Sequence, residues 1–473
     1  MGSQKKVFKA FPPQPGLKKI IGPSFVILAL GLGTGEVILW PYLASNYGLG
    51  IAWGAILGIT FQFFINMEIE RYALVKGESV FVGIAKLFKW SVHWFIFSTF
   101  IGFGLPGIIA ASAKVLAPVL GITNFKWLAI GMLVAIGIFL SVGKTVYGAM
   151  EKLTRTIILI AVPFIFLLAI FLSTKTDWTV LASGLIGHGD GFWFLPHGIA
   201  LATFLAAFSY SGAGGNLNLT QSLYIREKGY GMGKYSQKLS GLFHSEKDSA
   251  VKLTGEKFEI NERNINRFKS WWKVINMEHL FVFWFIGGVS MLLLMILSYA
   301  TTFGLSGNVE GINFVVNEGL MIGQNLYPIF GTLFLIGVSI LLFQTQLGVM
   351  DSTSRIMTEN VAIAKMKGKL NKKMNLSRIY FIFVWAQIAF GVTLFLCNVY
   401  EPKTLIILGA VINAFAMFVH TGLVTWLNRR SLPKVFQPGL FRRIAIMVIF
   451  LFFGFFSLMV LLEKMGLLNV KIS

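Results

Sequence analysis

The strongest constraint on this chain is the length of its apolar runs. Eleven stretches follow one another: 21–43, 50–70, 92–118, 127–143, 156–173, 194–225, 279–303, 325–350, 379–399, 404–426 and 441–462. Each is close to the roughly 20 residues that a helix needs to cross a bilayer core. Hydrocarbon cannot satisfy a free amide or carbonyl, so runs of this length must wind as helices that close their own hydrogen bonds. The expected fold is all-α and polytopic, with the lipid bilayer as its solvent. Only 13% of the 473 residues are charged, about half the share found in soluble domains.

The net charge of +21 raises the question of nucleic acid, and its placement answers it. With the N-terminus in the cytoplasm, every Lys and Arg falls on the inner side except Lys114, Lys126, Lys175, Lys403, Lys464 and Lys471. This is the positive-inside pattern, which places the chain in the cell's inner (plasma) membrane with a cytoplasmic tail at 1–20 and the C-terminus outside. The basic excess then meets anionic lipid headgroups, and nucleic acid is excluded as a partner. The single cysteine, Cys397, rules out an internal disulfide and reads as a small packing residue. No zinc-protease, phosphate-loop or nucleophile-elbow motif is present, so neither enzyme chemistry nor a cofactor is expected.

Two spans are interrupted. Gly31-Leu32-Gly33-Thr34-Gly35-Glu36 breaks the first, and Ser211-Gly212-Ala213-Gly214-Gly215-Asn216 breaks the sixth. Unwound backbone at membrane depth survives only where protein or a wet cavity surrounds it. Paired breaks of this kind, in corresponding positions of two halves, mark the solute site of secondary transporters. Spans one and six run in opposite directions, so 21–175 and 193–427 read as two five-helix units of inverted orientation. The unit 441–473 adds an eleventh helix, and 226–275 forms a cytoplasmic insertion within the second repeat. That insertion begins as a Gly-rich turn, and its last part, with Arg267, Trp271 and Trp272, reads as a helix lying along the lipid interface.

Glu36 is the foremost chemical candidate, because a carboxylate inside a span costs roughly 3 kcal/mol or more unless it is paired or hydrated. It stands where the second half-helix begins, with Gly33 and Thr34 just before it. Ala213, Asn216 and Thr220 are the candidates at the second break; Asn216 and Thr220, four apart, are expected to share a helical face. Glu68 reads either as an inner-gate residue or as half of an i,i+3 pair with Arg71. Gln344 and Asp351, seven apart on span eight, form a polar stripe towards the inner end, with Asp351 also placed to pair with Arg355. His420 is a candidate proton carrier. Gln62, Asn66, Glu70, Gln221, Gln387, Asn413 and Lys114 are further polar residues within the spans.

The opening of span one, Gly22-Pro23-Ser24-Phe25 followed by the break, resembles the natural resistance-associated macrophage protein (Nramp) family, whose members have a LeuT-like fold and move divalent metals with protons. The family's first-helix Asp-Pro-Gly-Asn falls on Gly33-Thr34-Gly35-Glu36, and its sixth-helix Met-Pro-His-Asn falls on Ala213-Gly214-Gly215-Asn216, with Thr220 at the place of the second histidine. The metal-binding Asp, the Met and both His are therefore replaced. The chain is more similar to a divergent bacterial and archaeal Nramp-like branch, with Gly-Ser-Gly-Glu in helix one, Ser-Gly-Ala-Gly-Gly in helix six, and the equivalent of Arg226 to Gly233 after it. The resemblance implies a LeuT-like 5+5 inverted repeat and a secondary transporter, with a divalent cation driven by a proton or ion gradient. Glu36 and Asn216 are the expected metal ligands, helped by carbonyls near Gly33 and Ala213. Loss of the thioether turns the preference from soft metals to hard ions such as Mn²⁺, Mg²⁺ or Ca²⁺. The same fold carrying a small organic solute is the alternative, and a solute-binding membrane sensor is the third.

Overall fold

The computed structural model describes residues 8–16, 23–31, 33–142, 146–238, 249–366 and 372–467. Its helices, in chain order, begin with α1 (Pro23–Gly31), α2 (Trp40–Tyr47), α3 (Ala52–Lys76), α4 (Val80–Leu87), α5 (Ser91–Gly104) and α6 (Gly107–Leu116). Next come α7 (Phe125–Val142), α8 (Val146–Leu172), α9 (Lys175–Gly184), α10 (Leu201–Ser209), α11 (Gln221–Lys228) and α12 (Glu262–His279). The chain then forms α13 (Gly287–Thr302), α14 (Asn313–Asn325), α15 (Pro328–Met366), α16 (Leu376–Leu396), α17 (Pro402–Ser431) and α18 (Leu440–Lys464). Two short antiparallel ribbons complete the elements: β1 (His188–Gly189) with β2 (Phe192–Trp193), and β3 (Ser249–Val251) with β4 (Lys372–Met374).

Every expected span has its helical counterpart. Among the described residues eight helices are long and apolar enough to cross a membrane by themselves, and the end of α8 bent against α9 makes a ninth. The other two are the broken spans, whose halves α1, α2, α10 and α11 hold only eight or nine residues each. The fold is all-α and polytopic, with two discontinuous spans among long apolar helices. Helix α1 packs on α8 and α15, α2 on α13, α10 on α3 and α17, and α11 on α3, so the halves of the broken spans lie among other helices.

The insertion departs from expectation. Helix α12 does not lie flat as a lipid anchor; it continues through a π-turn (Leu280–Ile286) into α13 as one helix, Glu262–Thr302. Its tryptophans face protein. Trp271 is 2% exposed and donates to the carbonyl of Pro12, while Arg71 and Arg442 lie over the ring of Trp272. Phe11 packs edge-on against Phe258 and Phe268, and Arg267 donates to its carbonyl, so the insertion clasps residues 8–16. The tail and α3 take the place that lipid was expected to fill around these rings. Cys397 is corrected as well: it caps the end of α16 and is exposed, because the helix stops one residue earlier.

Candidate functional site

The two breaks meet backbone to backbone. After α1 the Gly33 amide folds back onto the Gly31 carbonyl, and Gly35–Leu39 winds as a π-turn in which Ile38 and Leu39 both donate to the Thr34 carbonyl. After α10 the chain leaves the helix at Tyr210 and re-enters a 3₁₀ turn only at Gly215–Thr220. Gly214 and Gly215 carry φ of 71° and 49°, left-handed values that other residues adopt only at a cost. Glycine is needed between the breaks for another reason. A Cβ on Gly31 would lie 2.8 Å from the Gly212 backbone, and one on Gly35 would run into the Tyr210 carbonyl.

Side chains from neighbouring spans hold the sixth-span break open. Gln62 of α3 donates to the Ser209 carbonyl at 3.0 Å and accepts from the Gly214 amide at 3.1 Å, serving one orphan of each kind. Trp40 donates to the Ser211 hydroxyl at 2.8 Å, which in turn donates to the Ala207 carbonyl. Asn413 donates to the Gly102 carbonyl and the Tyr210 hydroxyl. His420 sits 3.0 Å from the Gly215 carbonyl, so it too serves the unwound backbone. The sequence marked Gln62 and Asn413 only as polar residues within spans. Their service to the break arises from the packing of distant spans.

Glu36 lies in the π-turn with none of its surface exposed, and neither carboxylate oxygen has a hydrogen-bond partner among the described residues. One oxygen stands beside the contact of Gly31 with Gly212. Gly33 and Thr34 are buried with it, and the bare face of Gly33 meets the Thr345 side chain of α15. Ala213 is buried at the second break. Asn216 donates to Ser98 and Thr99 of α5 at 2.8 and 2.9 Å, which leaves its carbonyl oxygen without a partner among the described residues. Neither Asn66 nor Asn218 has a side-chain hydrogen bond among the described residues, and both are fully buried. Next to the breaks, Tyr210, Gly102 and Gly409 border a cavity of about 10 Å³, room for about one water.

Other candidates fall elsewhere. Asn216 and Thr220 do not share a face, because Gly215–Thr220 is 3₁₀ and four residues turn through about 120° beyond a full circle. The Thr220 hydroxyl is spent on the Leu217 carbonyl. Glu68 forms the expected pair with Arg71, at 2.8 and 3.1 Å, and also accepts from Asn428. Asp351 is held by Arg355 at 2.8 Å and Tyr380 at 2.6 Å. Gln344 is buried one residue before Thr345, at the level of Gly33. Towards the basic end a further pair joins Arg226 to Glu359 at 2.9 Å, with Ser79 donating to the same carboxylate oxygen. Of these ion pairs only Arg226–Glu359 joins two helices, α11 and α15; Glu68–Arg71 lies within α3 and Asp351–Arg355 within α15. At the opposite end a cavity of about 460 Å³ opens beside Lys114, Ser306, Asn313 and Asn317.

The donor set limits the chemistry. Among the described residues no group of three or more His, Cys, Asp or Glu could hold a metal ion. A cation at the breaks would meet one carboxylate, that of Glu36, neutral oxygens of amides, hydroxyls and main-chain carbonyls, and the His420 imidazole beside Gly215. Such a set, mostly oxygen and without a thiolate, suits a hard cation better than a soft one.

No protein-family model and no curated protein sequence matches the chain. Solved structures do. The manganese transporter of Eremococcus coleocola, in a form with one glutamate changed to alanine, superposes with a TM-score of 0.70 at 11% identity, covering 97% of this chain and 90% of that one. A form of it with one histidine changed to alanine gives 0.69 at 11%, over 96% and 89%. The same transporter bound to an aromatic bis-isothiourea compound gives 0.69 at 12%, over 96% and 90%. At such low identity the likeness is one of fold alone.

Proposed function

We propose that the protein is a secondary transporter and that the meeting point of its broken helices is a cation site centred on Glu36. One observation carries the proposal: a fully buried carboxylate with neither oxygen partnered among the described residues, set against bare glycine backbone. Burying a charge without a partner is too costly to persist for packing alone. The group makes physical sense as one that a cation neutralises during part of a cycle. The half-helix that ends before each break leaves main-chain carbonyls bare and the one that starts after it leaves amides bare, as in carriers whose discontinuous helices grip solute near the midplane.

The cargo we favour is a hard divalent cation such as Mn²⁺, Mg²⁺ or Ca²⁺, held by Glu36 and the free Asn216 carbonyl and driven by a proton or ion gradient. The fold shared with a manganese transporter is in keeping with that cargo. A second reading keeps the carrier and assigns Glu36 to the coupling ion, with a small organic solute as cargo. It is favoured by the single carboxylate, since a divalent ion gains less there than from a cluster of acids. In both readings the basic end faces the cytoplasm.

The test is uptake of Mn²⁺, and separately of Mg²⁺ and Ca²⁺, into proteoliposomes, with thermal shifts of the purified protein in the same ions. A bound ion raises the melting temperature by mass action. Glu36→Gln is expected to abolish saturable uptake and the ion-dependent shift while melting at or above the wild type. Unchanged uptake in that variant removes Glu36 from the site. Failure of all three ions to shift melting or to enter vesicles turns the reading to an organic cargo, and absence of any flux favours a sensor.

A further inference from the structure

At the basic end the first half-helix is tied down by a buried chain of polar groups, which reaches the sixth-span break through Phe283. The Ser24 hydroxyl of α1 donates to the Glu278 carboxylate of α12 and lies 2.8 Å from Nδ1 of His279. The same Nδ1 stands 3.4 Å from Oε1 of Glu70 on α3, which also accepts from Gln221 of α11 at 2.7 Å. Ser24, Glu70 and His279 are at most 1% exposed, and Glu278 is 8% exposed. His279 lies between the rings of Phe63 and Phe283, and its Nε2 has no partner among the described residues.

The hydrogens in this chain admit two arrangements. A serine has one hydrogen to give. When it goes to Glu278, Nδ1 of His279 must carry a hydrogen and donate to Ser24. When Glu278 is protonated and donates to Ser24, the serine hydrogen turns to Nδ1. With a hydrogen on Nε2 throughout, the two arrangements differ by one proton moved from an imidazolium at His279 through Ser24 to the Glu278 carboxylate, with Glu70 waiting beyond the imidazole. The central link, Ser24, is the only member on α1, the first half of the broken span. From the neighbouring elements the charged groups facing the chain, among the described residues, are Arg442 of α18 and the pair Glu68–Arg71 of α3. Glu278 acts on Glu70 as a like charge, and a shared proton relieves that repulsion.

We propose that Ser24, Glu70, Glu278 and His279 form a proton-binding site that is complete only while α1 is docked. A proton held in the chain favours the docked half-helix. When α1 swings out, water reaches both carboxylates and the proton is released at that end of the protein. Linkage makes the effect reciprocal: alkaline pH loosens α1 and acid pH holds it. The site is distinct from Glu36 and does not rest on any particular cargo.

The experiment is hydrogen–deuterium exchange of the full chain in lipid nanodiscs, following peptides across residues 23–31 between pH 6 and pH 9, with intrinsic exchange rates divided out. For the wild type, protection of α1 should fall about tenfold per pH unit of differential proton binding. Glu278→Gln, which stays neutral and can still hydrogen-bond, should keep α1 protected at pH 9. Ser24→Ala should lower protection at every pH and remove its pH dependence. Either variant responding to pH like the wild type overturns the proposal. Should Glu278→Gln fail to fold, Ser24→Ala, which removes one hydroxyl, carries the test alone. The readout needs no transport, so a failed cation assay at Glu36 leaves it intact.

Discussion

Gln62 offers the most direct test of whether the sixth span is truly unwound. Its amide serves two main-chain groups that the break leaves bare, the Ser209 carbonyl and the Gly214 amide. In a continuous helix both groups would be bonded within the span, and a side chain on α3 would have nothing to serve. Gln62→Met keeps the volume of the side chain and removes both of its polar ends. Each buried backbone group left without a partner costs about 1–3 kcal/mol, so the pair amounts to about 2–6 kcal/mol. In domains of 150–250 residues, 1 kcal/mol moves the melting temperature by about 2–4 °C; in this longer chain the shift per kcal/mol is smaller, and a fall of several degrees is expected. The assay is thermal unfolding of purified protein in detergent, followed by tryptophan fluorescence, with uptake measured in parallel. Melting indistinguishable from the wild type would mean that neither group depends on Gln62. The backbone arrangement on which the site rests would then be wrong.

Gly35→Ala tests the contact between the breaks: its Cβ would meet the Tyr210 carbonyl, and forcing atoms into a packed core costs about 1–3 kcal/mol or more. It should lower both melting and uptake, whereas Gly337→Ala, with open space at its Cβ, should melt with or above the wild type. Glu318 on α14, outside the spanning helices, accepts from Ser298, and burial pushes its carboxyl up from the ordinary 4.5 to about 8. A carboxyl that protonates more readily when folded stabilises below the unfolded value, and that stability fades as pH rises through about 8. Glu318→Gln should therefore melt above the wild type at pH 9 and lose less between pH 6 and pH 9, and parallel melting curves for the two proteins would refute this.

Much of the fold was legible because a bilayer permits so few solutions. A run of about 20 apolar residues has to be a helix, and basic loops have to alternate with poor ones, so the span count and the inverted halves follow from spacing and charge. The two breaks were visible for the same reason, since glycine clusters are conspicuous within apolar runs. Periodicity misled at Asn216 and Thr220, where it presumes α-helical winding and the chain, freed by Gly214 and Gly215, takes a tighter turn. Composition misled at Trp271 and Trp272, since tryptophan beside Lys and Arg fits a lipid interface as well as a protein groove. Only the tail at Phe11 and the cations of Arg71 and Arg442 decide between them.

By itself, the sequence determined that this protein lives in lipid, crosses it with about eleven helices, breaks two of them and keeps one acid at the first break. Those properties are local, written in the composition of short segments. Tertiary structure alone decided that the breaks touch, that Gln62, Asn413 and His420 reach across from other spans to serve them, and that Ser24 joins a group 254 residues further along the chain. Such contacts depend on which helix faces join across the bundle, and nothing in a linear pattern encodes the partner of a buried polar group.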